Sequence, residues 1–125
     1  MQKLGIAIVH GRSMEPALHE GDHLLVLYGA RPRLGKLAVV RLPDDHAGAP
    51  RPLAVKRVTG PDPDGADGWW VERDNPREGL DSWAVGAIPA NGIRARVLLR
   101  LPTPRLRRLR LPIRRLRLLI RRRGQ

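Results

Sequence analysis

Glycine and proline cut this chain into short apolar runs. Together they fill 25 of its 125 positions, 13 Gly and 12 Pro. They fall between segments that are too short for ordinary helices and rich in Val, Ile and Leu. Short β-favouring runs bounded by Gly, Pro and Asp read as strands joined by turns. The runs are Leu4–Val9, His23–Tyr28, Lys36–Leu42, Leu53–Thr59, Trp69–Glu72 and Ile93–Leu101. Pro43–Pro52 and Gly60–Gly68 read as loops. The expected fold is a mostly-β domain, and no internal repeat is visible.

Charge divides the chain in two. Residues 1–104 carry 14 Lys or Arg against 12 Asp or Glu, a net +2. Residues 105–125 carry 10 Arg and no acid, a net +10. The two prolines of Leu101-Pro102-Thr103-Pro104 mark the boundary, so the expected organisation is a domain over 1–104 and an Arg-rich tail over 105–125. Within the tail, Leu106, Leu109, Ile113, Leu116 and Ile120 recur at helical spacing, with Pro112 interrupting. Such a segment suits an anionic membrane surface, where each Arg contributes about 1 kcal/mol. A solvated tail is the plain alternative. Nucleic acid ranks behind both, because the tail has no aromatic to stack on a base. The chain has no cysteine, which removes disulfides and thiolate metal sites. No apolar run approaches the length of a membrane span, and Leu4–Val9 is too short for a signal-peptide core. The expected setting is cytoplasmic, with peripheral membrane contact through the tail. Oligomeric state leaves no mark in the sequence.

The chemistry rests on two residues. Arg outnumbers Lys 21 to 3, so Lys56 stands out against the chain's own habit. An amine can lose its proton when desolvated, and a guanidinium cannot. In Leu53-Ala54-Val55-Lys56-Arg57-Val58, strand alternation puts Lys56 on a face with Ala54 and Val58. That apolar face would depress its pKa. To work as a base near neutrality, the amine must fall by roughly 3 units from about 10.4. Ser13, in His10-Gly11-Arg12-Ser13-Met14-Glu15-Pro16, reads alone as a turn serine. Paired with a neutral lysine it becomes a candidate nucleophile.

Four boxes in order resemble the Ser–Lys peptidase clan of type I signal peptidases and LexA-type repressors. Ser13-Met14-Glu15-Pro16 resembles the nucleophile box, and Gly21-Asp22-His23-Leu24-Leu25-Val26 the strand that follows it. Val55-Lys56-Arg57-Val58 is similar to the general-base box. Asp74-Asn75-Pro76 through Asp81-Ser82 is similar to the last. The compact size and Gly68-Trp69-Trp70-Val71 ahead of Asp74 look most like nickel-type superoxide dismutase maturation proteases. The resemblance implies a small barrel-like β domain with Ser13 as nucleophile and Lys56 as base. It implies oxyanion support from the Ser13 and Met14 region, bracing by Asp81 and Ser82, and no cofactor or metal. It further implies a protein substrate added as a β-strand to the first strand, losing an N-terminal propeptide or signal-like segment. Four positions depart from the pattern. Gly11 and Gly79 replace hydroxyl residues, Arg73 replaces a glycine, and Trp83 replaces an arginine.

Rival readings use the histidines. His19-Glu20-Gly21-Asp22-His23 matches the His-Glu-x-x-His zinc-peptidase pattern, which needs a helix to put both imidazoles on one face. Gly21-Asp22 reads as a turn, which counts against it. A Ser-His-Asp hydrolase would use His10 or His46, but Gly11-Arg12-Ser13-Met14-Glu15 lacks the final glycine of a nucleophile elbow. A third reading is a weakly active or non-catalytic relative that binds anionic membrane or nucleic acid through its tail.

Overall fold

A computed structural model describes residues 1–102. Seven strands form one antiparallel sheet that curls into a half-barrel. They are β1 (Lys3–Ile8), β2 (His23–Tyr28), β3 (Leu37–Arg41), β4 (Leu53–Pro61), β5 (Gly68–Glu72), β6 (Ile88–Pro89) and β7 (Ile93–Leu101). A single helical turn, α1 (Ser82–Val85), precedes β6. The spatial order is β1-β2-β7-β3-β4-β5-β6. The mostly-β expectation therefore holds. The helix and surface contacts expected of residues 105–125 lie outside the described residues. Among the described residues, no helix is long and apolar enough to cross a membrane.

Three features differ from the sequence reading. β4 continues past Thr59 to Pro61, because a bulge between Val58 and Gly60 lets Pro61 pair with Trp69. α1 and β6 lie in the stretch between Glu72 and Ile93, to which the sequence assigns no element. Four and two residues are too short for a periodic signal, and α1 is fixed by the Asp81 carboxylate accepting from Trp83 N–H.

The sheet has apolar residues on both faces. One core joins Ala7, Val9, Met14, Leu18, Leu24, Val26, Val39, Val55 and Ala95. The other joins Ala38, Val40, Leu42, Val58, Val71 and Ile88 on the opposite face of β3 and β4. Val39 and Val40 of β3 belong to different cores, as the period of two requires. β4 runs between the cores, which bury side chains along its middle. Lys56 is such a side chain, with 0% of its surface exposed.

Candidate active site

The site forms where the turn after β1 crosses the middle of β4. Lys56 Nζ lies 2.9 Å from Ser13 Oγ, across 43 residues of sequence. Lys56 is fully buried and Ser13 half-buried. Among the described residues, Ser13 Oγ is the one hydrogen-bond partner of the amine. An ammonium has three protons to place, and here it would find one acceptor. Burial pushes the Lys56 pKa down to about 8, with Asp81 opposing by raising it and Arg73 adding to the depression. A neutral amine accepts the hydroxyl proton of serine, which is what the chemistry of a lysine base needs.

The Ser13 turn is held by the segment that follows β5. Asn75 N–H donates to Ser13 O at 2.8 Å. Asn75 Nδ2 donates to Arg12 O at 2.9 Å. Met14 is 2% exposed, and its sulfur accepts from Asp74 N–H at 3.4 Å. Asp74 is in turn clamped by Arg57, with Nε–Oδ1 at 2.9 Å and Nη2–Oδ2 at 2.7 Å. The lysine's strand neighbour thus anchors the residues that anchor the serine. Among the described residues, no acceptor meets the N–H of Ser13 or Met14. Free backbone N–H groups at the nucleophile can receive an oxyanion.

Gly11 and Gly79 are where they are for backbone reasons. Their φ angles are 87° and 80°, in the region that L side chains rarely adopt. A hydroxyl residue at either position would be strained. The sequence shows these only as missing hydroxyls.

Asp81 and Ser82 brace the surroundings and do not bond to the dyad. Ser82 Oγ accepts from Val71 N–H at 2.9 Å. Asp81 Oδ2 accepts from Arg73 N–H at 3.1 Å, and Oδ1 accepts from Trp83 N–H at 3.1 Å. Asp81 reaches Lys56 through its charge alone. Trp83 is exposed, stacks edge-on against Trp70 with centroids 5.3 Å apart, and donates through Nε1 to Glu72.

A cleft runs past Ser13 between the end of β1 and the start of β4. Ile8 and His10 line one wall, Leu53 and Val55 the other, and Glu78 and Gly79 one end. Both walls are strand edges. β1 pairs with β2 alone, and β5 pairs with β4 only from Arg57 onward. Val9 bonds toward the β2 side, through Asp22 O and Gly21 N–H. Alternation therefore turns the backbone groups of Ile8 and His10 to the open edge. Val58 bonds toward the β3 side, through Lys36 O and Gly35 N–H, so Leu53 and Val55 turn theirs into the cleft. An extended peptide could pair with both walls at once.

The zinc pattern has no helix to work on. Residues 19–22 form a turn, with Asp22 N–H donating to His19 O at 3.0 Å, and His23 opens β2. Glu20 instead accepts from Gly11 N–H at 3.1 Å. Among the described residues, no three His, Cys, Asp or Glu side chains group as a metal site. His46 is exposed in the 43–52 loop, and His10 lines the cleft without a bond to Ser13. Asn75 and the Arg57–Asp74 pair are the functional candidates that the sequence left unassigned. Their only signal in the sequence is membership of the Val55-Lys56-Arg57-Val58 and Asp74-Asn75-Pro76 boxes.

Comparison with family models, with curated proteins and with solved structures finds no match for this chain.

Proposed function

We propose that this protein is a serine endopeptidase in which Lys56 is the general base for Ser13. The 2.9 Å contact between Ser13 Oγ and a fully buried amine carries the reading. A solvated lysine would have no cause to end there, since burying an ammonium with one partner is costly. As Ser13 Oγ attacks the scissile carbonyl carbon, its proton passes to Lys56 Nζ. The oxyanion accepts from the Ser13 N–H, with Met14 N–H beside it. Collapse breaks the C–N bond, and the Lys56 ammonium returns its proton to the leaving amine. Water then attacks the acyl ester with Lys56 again as base, and Ser13 is regenerated.

The substrate is an extended protein segment paired with the open edges of β1 and β4. By the resemblance of the four boxes, it is an N-terminal propeptide or signal-like leader, with a nickel-type superoxide dismutase precursor as the first protein to try. The purified chain should be incubated with that precursor and, separately, with a proteome-derived peptide library, and products read by mass spectrometry. One defined cut that disappears in Ser13→Ala supports the reading. Cleavage in the library without cleavage of the precursor would remove the substrate and keep the enzyme. Silence in both would remove the enzyme. The +10 charge of residues 105–125 favours a second role beside this one, contact with an anionic membrane. Sedimentation with vesicles containing phosphatidylserine tests it, and equal binding without residues 105–125 would refute it.

A further inference from the structure

Arg73 replaces a glycine in the box it belongs to, and its side chain does not lie free. Nη1 donates to Gly79 O at 2.6 Å and to Glu78 O at 3.4 Å. Nε lies 3.5 Å from Asp81 Oδ2. The same oxygen accepts from the backbone N–H of Arg73. One guanidinium therefore spans residues 78–81, the segment that closes one end of the cleft. Both partners are well covered, at 29% and 6% side-chain exposure, where a charge-assisted bond is not lost to solvent. Gly79 offers no side chain toward the dyad, and Trp83 offers no cation to Asp81. Arg73 compensates for both.

We propose that Arg73 is a positioning residue of this site, whose guanidinium fastens the 78–81 segment beside the dyad and occupies the Asp81 carboxylate. Among the described residues, two charged groups act on Lys56: Asp81 at the cap of α1 favours the ammonium, and Arg73 after β5 disfavours it. The third neighbour, Ser13, is neutral. Without Arg73, Asp81 would be an unopposed anion near a buried amine, and the base would hold its proton to higher pH. A rise of one pH unit in the Lys56 midpoint would lower the free-amine fraction near neutrality about tenfold.

The role of Arg73 rests on the dyad reading above, but its test needs no turnover. The chain has three lysines, Lys3, Lys36 and Lys56, so side-chain 13C-lysine labelling of the full chain gives three signals. The Lys56 signal is the one missing from Lys56→Met. In Arg73→Gln its titration midpoint should rise. In Arg73→Lys, which keeps a cation, it should stay near that of the unchanged chain. Both variants should lose kcat more than they change KM on a library peptide, because neither can hold two carbonyls and a carboxylate together. An unmoved midpoint in folded Arg73→Gln overturns the proposal, as does Arg73→Lys moving as far as Arg73→Gln. Should Arg73→Gln fail to fold, Asp81→Asn with and without it isolates the same effect. The double variant should then titrate above Asp81→Asn, and equal midpoints overturn the proposal. Absence of peptide cleavage with the expected midpoints would remove the peptidase and leave the Arg73–Lys56 coupling intact.

Discussion

Lys56 Nζ stands 2.9 Å from Ser13 Oγ at the end of a side chain with no exposed surface. The contact joins a turn and a strand that share no local sequence, and it brings an amine into a space between two apolar cores. Ser13→Ala removes the nucleophile. Lys56→Arg keeps a positive charge but cannot deprotonate. Each should lower kcat/KM by at least about a thousandfold, the scale of losing an activated nucleophile or its base. His10→Ala should change it by less than about tenfold, since His10 lines the cleft without touching Ser13 Oγ. Steady-state cleavage of a library peptide reads all three. An active Lys56→Arg beside a dead His10→Ala would replace the lysine base with a histidine.

The pH profile follows from the direction of the Lys56 shift. The working base is the neutral amine, and its pKa is lowered by burial to about 8. Therefore kcat/KM should climb through about pH 8 and level off above it, with about a tenth of the plateau value at pH 7. A profile that falls between pH 7 and 9 contradicts a lysine base.

Stability carries the same signature, in the window above pH 8. The unfolded chain holds the Lys56 proton up to about 10.4, and the folded chain gives it up near 8. Between those values the unfolded state binds more protons, so folding strengthens as pH rises through this window. Below about pH 8 the full cost of burying the ammonium is present. Lys56→Met should stabilise the fold at pH 7 by on the order of 2 kcal/mol. That advantage should shrink as pH rises from 8 toward 10.5. Urea unfolding of both chains at pH 7 and pH 10 gives the comparison, and an advantage that grows with pH would rule out a depressed lysine.

The strands were legible because Gly, Pro and Asp bracket them and their apolar residues are β-favouring. The edge of Leu53–Arg57 shared with β3 was not, since pairing joins residues with no sequence relation. Lys56 stands out by residue type, and strand alternation puts it on a face with Ala54 and Val58, but its pairing with Ser13 rests on the order of the four boxes. Asn75 does not stand out. Its two donors are committed to Arg12 O and Ser13 O, and neither contact leaves a pattern in either segment. Arg73 read as a departure from the motif, because only three-dimensional placement shows Gly79 O and Asp81 within its reach. Gly11 and Gly79 read as missing hydroxyls, because φ is invisible in a sequence.

The His19–His23 pattern predicts a negative result. Glu20 is bonded to Gly11 N–H, and the two histidines lie on a turn and a strand. A chelator should leave peptide cleavage intact, and His19→Ala should change kcat/KM by less than about twofold, as expected for an exposed side chain away from the reacting atoms. Loss of activity to a chelator, restored by zinc, would favour the metal reading.

Asn75 offers the most selective test of the site's construction. Its side-chain amide donates to Arg12 O at 2.9 Å, while its backbone N–H separately donates to Ser13 O at 2.8 Å. Asn75→Ala removes the first tether and keeps the second. The net stability cost of one such bond is about 1 kcal/mol, so the fold should persist. The turn that aims Ser13 Oγ at Lys56 would gain freedom, and an attack geometry that loosens by a fraction of an ångström can cost up to about a hundredfold in rate. The expected result is a kcat lowered by roughly ten- to a hundredfold with KM little changed. Asn75→Asp should be worse than Asn75→Ala, because it sets a carboxylate oxygen against the Arg12 carbonyl in place of a donor. Rates for the two variants, with their urea midpoints, separate the cases. If Asn75→Ala works at the rate of the unchanged chain, the turn is rigid by itself, and Asn75 is not what aims the nucleophile.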